Sequence, residues 1–503
     1  MMNTPVSCDG MKRWPKAVMI RVLLVLATFC LSHTAMADQK ELPVELQPYV
    51  VELRIGFDLP AHSRKLHQEI LDQVRSAADR CIGSQWQLTV SEETEVQPVS
   101  AEGLSRLSPP ELNSPHPKSV VRLFATIHSD GARWRLDVRS FQPVAGFSDV
   151  SGAETYDRLD VPLLLLQLSY ASFRPIGVIE DVEGKRVRIV MLAGAMLVPD
   201  PAFSLATAGS QFAPILMSRK RDGTLDRLQS IPWTYLSVSE TSGARSTCDL
   251  HSGLRTPIGG RQRGRVETLA IAVKGTHPET RLELATQSKP SLPLVAHRIE
   301  LRRNSEIPGA DDPRDKDDRL LKVLMTDRRG HVTLVPHGTD VVWLFAYSGR
   351  HLLARVPMIP GSASRMRLEV PDDSSRLEAE SNLHMLQGQL IEAVAARNTI
   401  TSRLRAAVKK NDAERARSAA QELRKQPDAQ QYLDKVTSIR VPAVKAANSR
   451  RDRAGEARIN RMCDEMSELI KQYLNEDKRQ AVLEELKELY NDDDIDKPPA
   501  EKK

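Results

Sequence analysis

Cysteine, aromatic residues and long apolar runs are all scarce in this chain, and each scarcity excludes something. Five cysteines occur in 503 residues, and only Cys81, Cys248 and Cys463 lie beyond the N-terminal segment. None has a CxxC partner, which argues against structural zinc. A chain of this length also buries enough surface to dispense with a disulfide framework. One bridge, Cys81–Cys248, stays open to an oxidising compartment. Aromatics make up 4%, and none interleaves with the basic runs "SRKR" (218–221), "RQRGR" (261–265) and "SRRDR" (449–453). Those runs lack the stacking platform of a nucleic-acid site and read as solvated faces.

The apolar run "VLLVLATFCL" (22–31) has ten residues, too few to cross roughly 30 Å of hydrocarbon as a helix. Lys12, Arg13, Lys16 and Arg21 precede it, and "TAMA" (34–37) follows. Ala35 and Ala37 then occupy the minus-three and minus-one positions of a signal-peptidase site. No later segment is long and apolar enough to span. The expectation is an exported protein, periplasmic or extracellular, with no transmembrane segment once the signal is removed. Taking away residues 1–37 removes four basic residues and one acid, which leaves 67 Lys+Arg against 65 Asp+Glu, a net of +2 from +5. The basicity belongs largely to the export signal, so no nucleic-acid partner is expected.

Catalytic signatures are missing too: no GxSxG, HExxH, SxxK, P-loop or GxGxxG occurs. "EGKRV" (183–187) reads as a hairpin turn rather than a phosphate loop. The histidines of "HSRKLH" (62–67) stand five apart, about 140° on a helix, and would not share a metal. "DDPRDKDD" (311–318) and "DDDID" (492–496) lack the glycine and terminal glutamate of a calcium loop. No catalytic, cofactor-binding or metal-ligating residue is assigned, and no cofactor is expected.

What is present is alternation, then helical periodicity. "VVELRIGF" (50–57) alternates as a half-buried strand. Leu66, Ile70, Val74, Ala77 and Cys81 form one helix stripe, and "WQLTV" (86–90) returns to strand. "VVRLFATI" (120–127) and "WRLDVRSF" (134–141) read as a hairpin, "PLLLLQLSY" (162–170) as a buried helix, and 176–192 as a second hairpin about Glu183-Gly184. Residues 199–294 hold many turn residues, with strands such as "WTYLSV" (233–238) and "VETLAIAV" (266–273). Past "VPDD" (370–373) Ala, Glu, Arg, Leu and Lys dominate. Leu383, Leu386, Leu390, Val394, Leu404 and Val408 share a stripe that Arg397 interrupts, and helix boundaries are expected at Asn411-Asp412, Pro427 and Asp477.

The stretch 329–361 concentrates His331, His337, His351, Asp340 and Ser348. "VLMTDRRGHVTLVP" (323–336) reads strand–turn–strand with Arg329-Gly330 at the turn. "VVWLFAY" (341–347) has the continuous apolar character of a strand covered on both faces, with Ser348-Gly349 as the next turn. The histidines are expected to be exposed and turn-adjacent.

"TDRRGHVTL" (326–334) resembles the carboxypeptidase regulatory-like, or transthyretin-like, β-sandwich, over residues 295–371. That resemblance implies a non-catalytic accessory module. An acidic insertion, "SEIPGADDPRDKDD" (305–318), departs from the pattern. The chain as a whole resembles a family of exported proteins of planctomycete-type bacteria through "IPWTYL" (231–236), "LLARVPMIPG" (352–361) and "VPDDSSRLEAE" (370–380), a resemblance that implies no activity.

The expected fold class is multidomain α+β: a signal peptide (1–37), an α+β domain (38–198), a β-rich domain (199–294), a small Ig/transthyretin-like sandwich (295–372), an antiparallel helical bundle (373–490) and a disordered tail (491–503). The expected function is non-enzymatic, through binding or scaffold surfaces that meet protein or envelope polymer, with the C-terminal helices able to assemble copies. The alternative is a divergent extracytoplasmic hydrolase of peptide or glycan with its site in residues 48–294.

Overall fold

The structure, a computed structural model, describes residues 42–490 apart from 60–63, 95, 110–116, 222–223, 260–264, 308–318, 337, 339 and 451. Ala35, Ala37, His62, His337, the acidic runs 311–318 and 492–496, and most of 261–265 therefore lie outside the described residues. The fold is mixed α+β in several sheets followed by helices. It divides into two compact units: the chain up to His251 with Thr256–Val273, and Ser252–Arg255 with the chain from Lys274 onward.

The first unit opens with β1 (Tyr49–Asp58), α1 (Arg64–Cys81) and β2 (Trp86–Glu92). Next come the short α2 (Ala101–Ser105), then β3 (Val120–Ser129), β4 (Trp134–Gln142), β5 (Gly146–Phe147), β6 (Ser151–Thr155) and α3 (Val161–Ser172). The sheet order is β2-β1-β3-β4-β5, with β6 also on β4. β1 runs parallel to both β2 and β3, while β4 turns back antiparallel on β3. The alternation of β1 puts Val51, Leu53 and Ile55 in the core, fully buried with Ile70 and Val74 of α1 and Leu165 of α3. Its opposite face carries Glu52, which pairs with Arg54 at 2.7 Å and Arg122 at 3.2 Å. Tyr49 is buried as well. Its hydroxyl accepts the Ile176 N–H at 2.8 Å, so its polar end is satisfied inside an aromatic cluster with Trp86 and Phe173.

A second sheet follows: β7 (Ile176–Glu183), β8 (Arg186–Met191), β9 (Gln211–Arg219), β10 (Leu225–Ser230), β11 (Thr234–Ser242), β12 (Arg245–Ser252) and β13 (Val266–Val273). The order is β10-β9-β11-β12-β8-β7-β13, and β13 pairs with β9 as well. Six strands thus close into a ring, with β10 outside it on β9. Closure removes the unpaired edges that an open antiparallel sheet would present. It also corrects the boundary expected at 198/199: β7 and β8 pair with β13 and β12, so one sheet runs through that position. The sequence concealed this because the pairing joins segments some ninety residues apart, as in Leu269 opposite Val178. Cys248 of β12 lies fully buried in the core shared with β1 and α1, Cys81 lies at the end of α1, and both are free thiols. The bridge left open between them is not formed.

The second unit begins with β14 (Thr280–Thr286), β15 (Arg298–Arg302), β16 (Leu320–Met325), β17 (His331–Leu334), β18 (Val342–Ser348), β19 (His351–Met358) and β20 (Arg365–Val370). They form a three-stranded sheet, β17-β14-β20, and a four-stranded one, β16-β15-β18-β19. Leu282, Leu284, Leu334 and Leu368 of the first are buried, as are Ile299, Leu301, Leu344 and Met358 of the second. The start expected at residue 295 is too late. β14 lies at the centre of its sheet, between antiparallel β17 and parallel β20.

Among the described residues five helices follow in this unit: α4 (Ser374–Lys409), α5 (Ala413–Arg424), α6 (Ala429–Ser449), α7 (Arg453–Tyr473) and α8 (Glu476–Tyr490). At 1.5 Å per residue α4 is about 54 Å long, and it serves two cores in succession. Its first half packs Leu383, Leu386 and Leu390 against Val436 of α6 and Ile459 and Ile470 of α7. Its second half packs Ile400 and Leu404 against Ala416 and Leu423 of α5 and Leu486 of α8. The boundaries come from local chemistry. Asp412, Asp428 and Asp452 each accept a backbone N–H of the helix they precede, caps worth about 1 kcal/mol apiece. Asn411 takes the left-handed turn between α4 and α5, at φ 53°.

Candidate functional site

The histidines of 329–361 are held by different elements. His331 opens β17 in the three-stranded sheet, where its Nδ1 accepts from Arg281 Nη2 at 3.0 Å. Its backbone is fixed by the Thr-Asp-x-x-Gly turn. Asp327 Oδ1 accepts the N–H groups of Arg329 and His331, both at 2.8 Å, and these bonds hold the Asp327 carboxyl below its ordinary range. Thr326 Oγ1 ties the same turn to Leu294 O at 2.6 Å. His351 opens β19 in the other sheet, and burial, then the nearby Arg376 and Arg458, push its pKa down. Among the described residues, no group of three His, Cys, Asp or Glu is placed to hold a metal.

Ser348 has another role. It ends β18, the turn falling on Gly349 and Arg350, and it is only 2% exposed. Its Oγ accepts from Arg376 Nη2 at 3.2 Å. Arg376, in the first turn of α4, is itself 1% exposed. Its Nε donates to both oxygens of Asp373 at 2.9 Å, its Nη2 to Asp373 Oδ2 at 2.6 Å, and its Nη1 to Glu380. Burial alone would lower the guanidinium pKa, and the bonds to Asp373 and Glu380 more than reverse that. Beside it Arg450, the residue that follows α6, reaches Asp372 at 3.1 Å. The "VPDDSSR" segment thus fastens the helices to the end of a strand through one buried guanidinium.

A second arginine works similarly farther along α4. Arg397, read from sequence as an interruption of the apolar stripe, is 7% exposed. Its Nη2 donates to Pro427 O at 2.5 Å and to Glu476 Oε1 at 2.7 Å. It therefore joins the α5–α6 turn to the start of α8 at the seam between the two helical cores. Over that seam opens a cleft of about 650 Å³. Arg397, Arg405, Lys478 and Arg479 bring four cations to its walls, facing Glu485, with Val394, Leu423 and Val482 supplying apolar surface. Arg479 pairs with Glu476 at 2.7 Å. Among the described residues, Arg405 and Lys478 have no ion-pair partner. The signal that would have located this cleft from sequence is the charged residue on an otherwise apolar helix face.

The first unit holds two carboxylate–histidine pairs at the carboxyl ends of its parallel strands. His128 Nδ1 lies 2.6 Å from Asp58 Oδ2, the two residues being opposite each other in register. His67 Nδ1 lies 3.3 Å from Glu92 Oε1, and its ring stacks on Phe57 at 4.1 Å. Neither pair was singled out by sequence, since the four residues come from separate segments.

No protein-family model matches the chain, and no curated protein sequence does. Among solved structures it is similar to TolB from Acinetobacter baumannii at 10% identity, with 65% of this chain and 96% of that chain covered and a TM-score of 0.16. A likeness at that score carries no inference about fold or function.

Proposed function

We propose that the chain is a non-enzymatic, exported cell-envelope protein that acts through binding surfaces, with its C-terminal helices as the docking element. The observation that carries this reading is the chemistry of the cleft over the helical seam. Arginine and lysine stay charged across the neutral range, so a wall of them holds charge and does not shuttle protons. The Arg376 junction supports the same reading, because it presents the helices as a fixed extension of a β module. Residues 12–37 support export, and among the described residues no helix is long and apolar enough to cross a membrane. The resemblance of residues 295–371 to a transthyretin-like module supports an accessory role, and the resemblance to exported proteins of planctomycete-type bacteria supports export alone. The test is to express the full chain in a Gram-negative host, sequence the N-terminus of the extracytoplasmic product, and cross-link it to envelope components. The expected product begins at Asp38, and its cross-links map to 374–490. Retention in the cytoplasm, or cross-links confined to the first unit, would overturn the reading.

A second reading, a divergent hydrolase of peptide or glycan, is favoured by the Asp58–His128 contact alone. A carboxylate that orients an imidazole is the base half of a nucleophilic site, and the ends of parallel strands are where such sites are built. Hydrolysis abolished by His128→Ala, with the fold intact, would establish it over the first.

A further inference from the structure

We infer that the cleft over the helical seam is a binding site for a phosphate monoester group. Four cations and Glu485 line it, and Glu476 pairs with two of the cations from beside it, so these side chains carry an excess of two positive charges, which suits a phosphate monoester dianion. The donors are also graded. Arg397 and Arg479 are anchored through Glu476 and through the carbonyls of Pro427 and Gln426, which pre-organises their planar groups. The Nε atoms of both are buried without an acceptor. Arg405 and Lys478 are exposed and, among the described residues, have no ion-pair partner, so they are free to close on an anion from outside. Guanidinium groups match oxyanion geometry with paired N–H donors, and charge-assisted bonds of this kind are about twice as strong as neutral ones.

Size and lining narrow the ligand further. A cleft of about 650 Å³ far exceeds an inorganic ion and falls within the range of small-molecule sites. Val394, Leu423, Ala481 and Val482 give an organic body something to cover, and Asn398 and Gln472 offer neutral polar contacts. The expected ligand is therefore a small phosphorylated organic molecule, with free phosphate as the weaker occupant of the same donors. The binding does not depend on export, so a failure here and a failure of the localisation test are read separately.

Isothermal titration of the full chain with glucose 6-phosphate, inorganic phosphate and glucose tests this. The phosphate monoester should bind saturably, inorganic phosphate more weakly, and glucose not at all. Arg405→Gln and Lys478→Gln should each weaken the monoester about tenfold and together abolish its binding. Both side chains are exposed and have no ion-pair partner among the described residues, so circular dichroism should show unchanged folds. Added salt should weaken binding of the wild type. No saturable binding of either phosphate up to about 10 mM, or affinity unchanged in the double variant, would overturn the assignment.

Discussion

Arg376 Nη2 lies 3.2 Å from Ser348 Oγ, across 28 residues of chain and between a strand end and the first turn of a helix. The contact explains why a serine at a strand end is buried and why an arginine sits in the first turn of a helix. Substituting methionine for Arg376 would leave Asp373, 6% exposed, as a buried charge without its cation. Breaking such a pair costs about 3–5 kcal/mol. Amide hydrogen exchange in 342–348 and 374–383 should then accelerate by about two to four orders of magnitude. Asp373→Asn combined with Arg376→Met should recover part of the loss. Unchanged protection in the single variant would show that the junction holds nothing together.

The Thr-Asp-x-x-Gly turn gives a pH-dependent prediction. The Asp327 carboxylate accepts two backbone N–H groups, so its folded pKa lies below the unfolded value of about 4. Its contribution is fully present above that unfolded value and fades as pH falls through the folded one. Pulse proteolysis in urea, followed on peptides from 274–372, should show Asp327→Ala less stable than wild type at pH 7. The difference should shrink toward zero in acid. Gly330 is a stricter position. Its φ is 72°, and an added Cβ would meet Leu284 O at 2.6 Å. Gly330→Ala should cost more than about 1 kcal/mol in the same assay at every pH.

These two elements show what was legible in the sequence. Alternation in 50–57, the short apolar segment 266–273, and the stripe Ile70, Val74, Ala77 are local patterns, and they appear as β1, β13 and α1. Helix ends near Asn411-Asp412 and Pro427 were legible for the same reason, since a cap is made by the residue at the boundary. Pairing was not. The β14 strand belongs between two strands that follow it by some fifty and eighty residues, and the ring of six closes through a β9–β13 contact. The cleft was hidden because its cations come from α4 and α8, and its hub, Arg397, shares a stripe with leucines.

Thiol reactivity follows from the core of the first unit, which holds Cys248. Burial pushes the Cys248 thiol up to about 12, which leaves about one thiolate in ten thousand at pH 8. Cys81 is only partly buried at the end of α1. Native chain treated with iodoacetamide at pH 8 should be modified at Cys81 and spared at Cys248, and urea should expose both. The intact mass should be the same with and without prior reduction, because both thiols are free. Equal labelling of Cys81 and Cys248 in the native state would contradict the buried placement of β12.

Arg397 separates two ways of reading a helix. By periodicity, leucine at 397 would complete the apolar stripe of α4 and should stabilise it. By structure, the same substitution removes the donor to Pro427 O and leaves Glu476 with one fewer cation at a seam where Ala429 N–H also depends on it, at 3.1 Å. Loss of hydrogen bonds to a charged group costs about 1.5–3 kcal/mol, and the partial exposure of Glu476 places the expected value at the lower end, about 1.5 kcal/mol. Arg397→Leu should therefore lower the urea midpoint of the helical region and open the 425–428 turn to protease, whereas Val394→Leu on the same helix should do neither. A rise in midpoint for Arg397→Leu would mean that the apolar stripe, and not the guanidinium, decides how α5 and α8 meet α4.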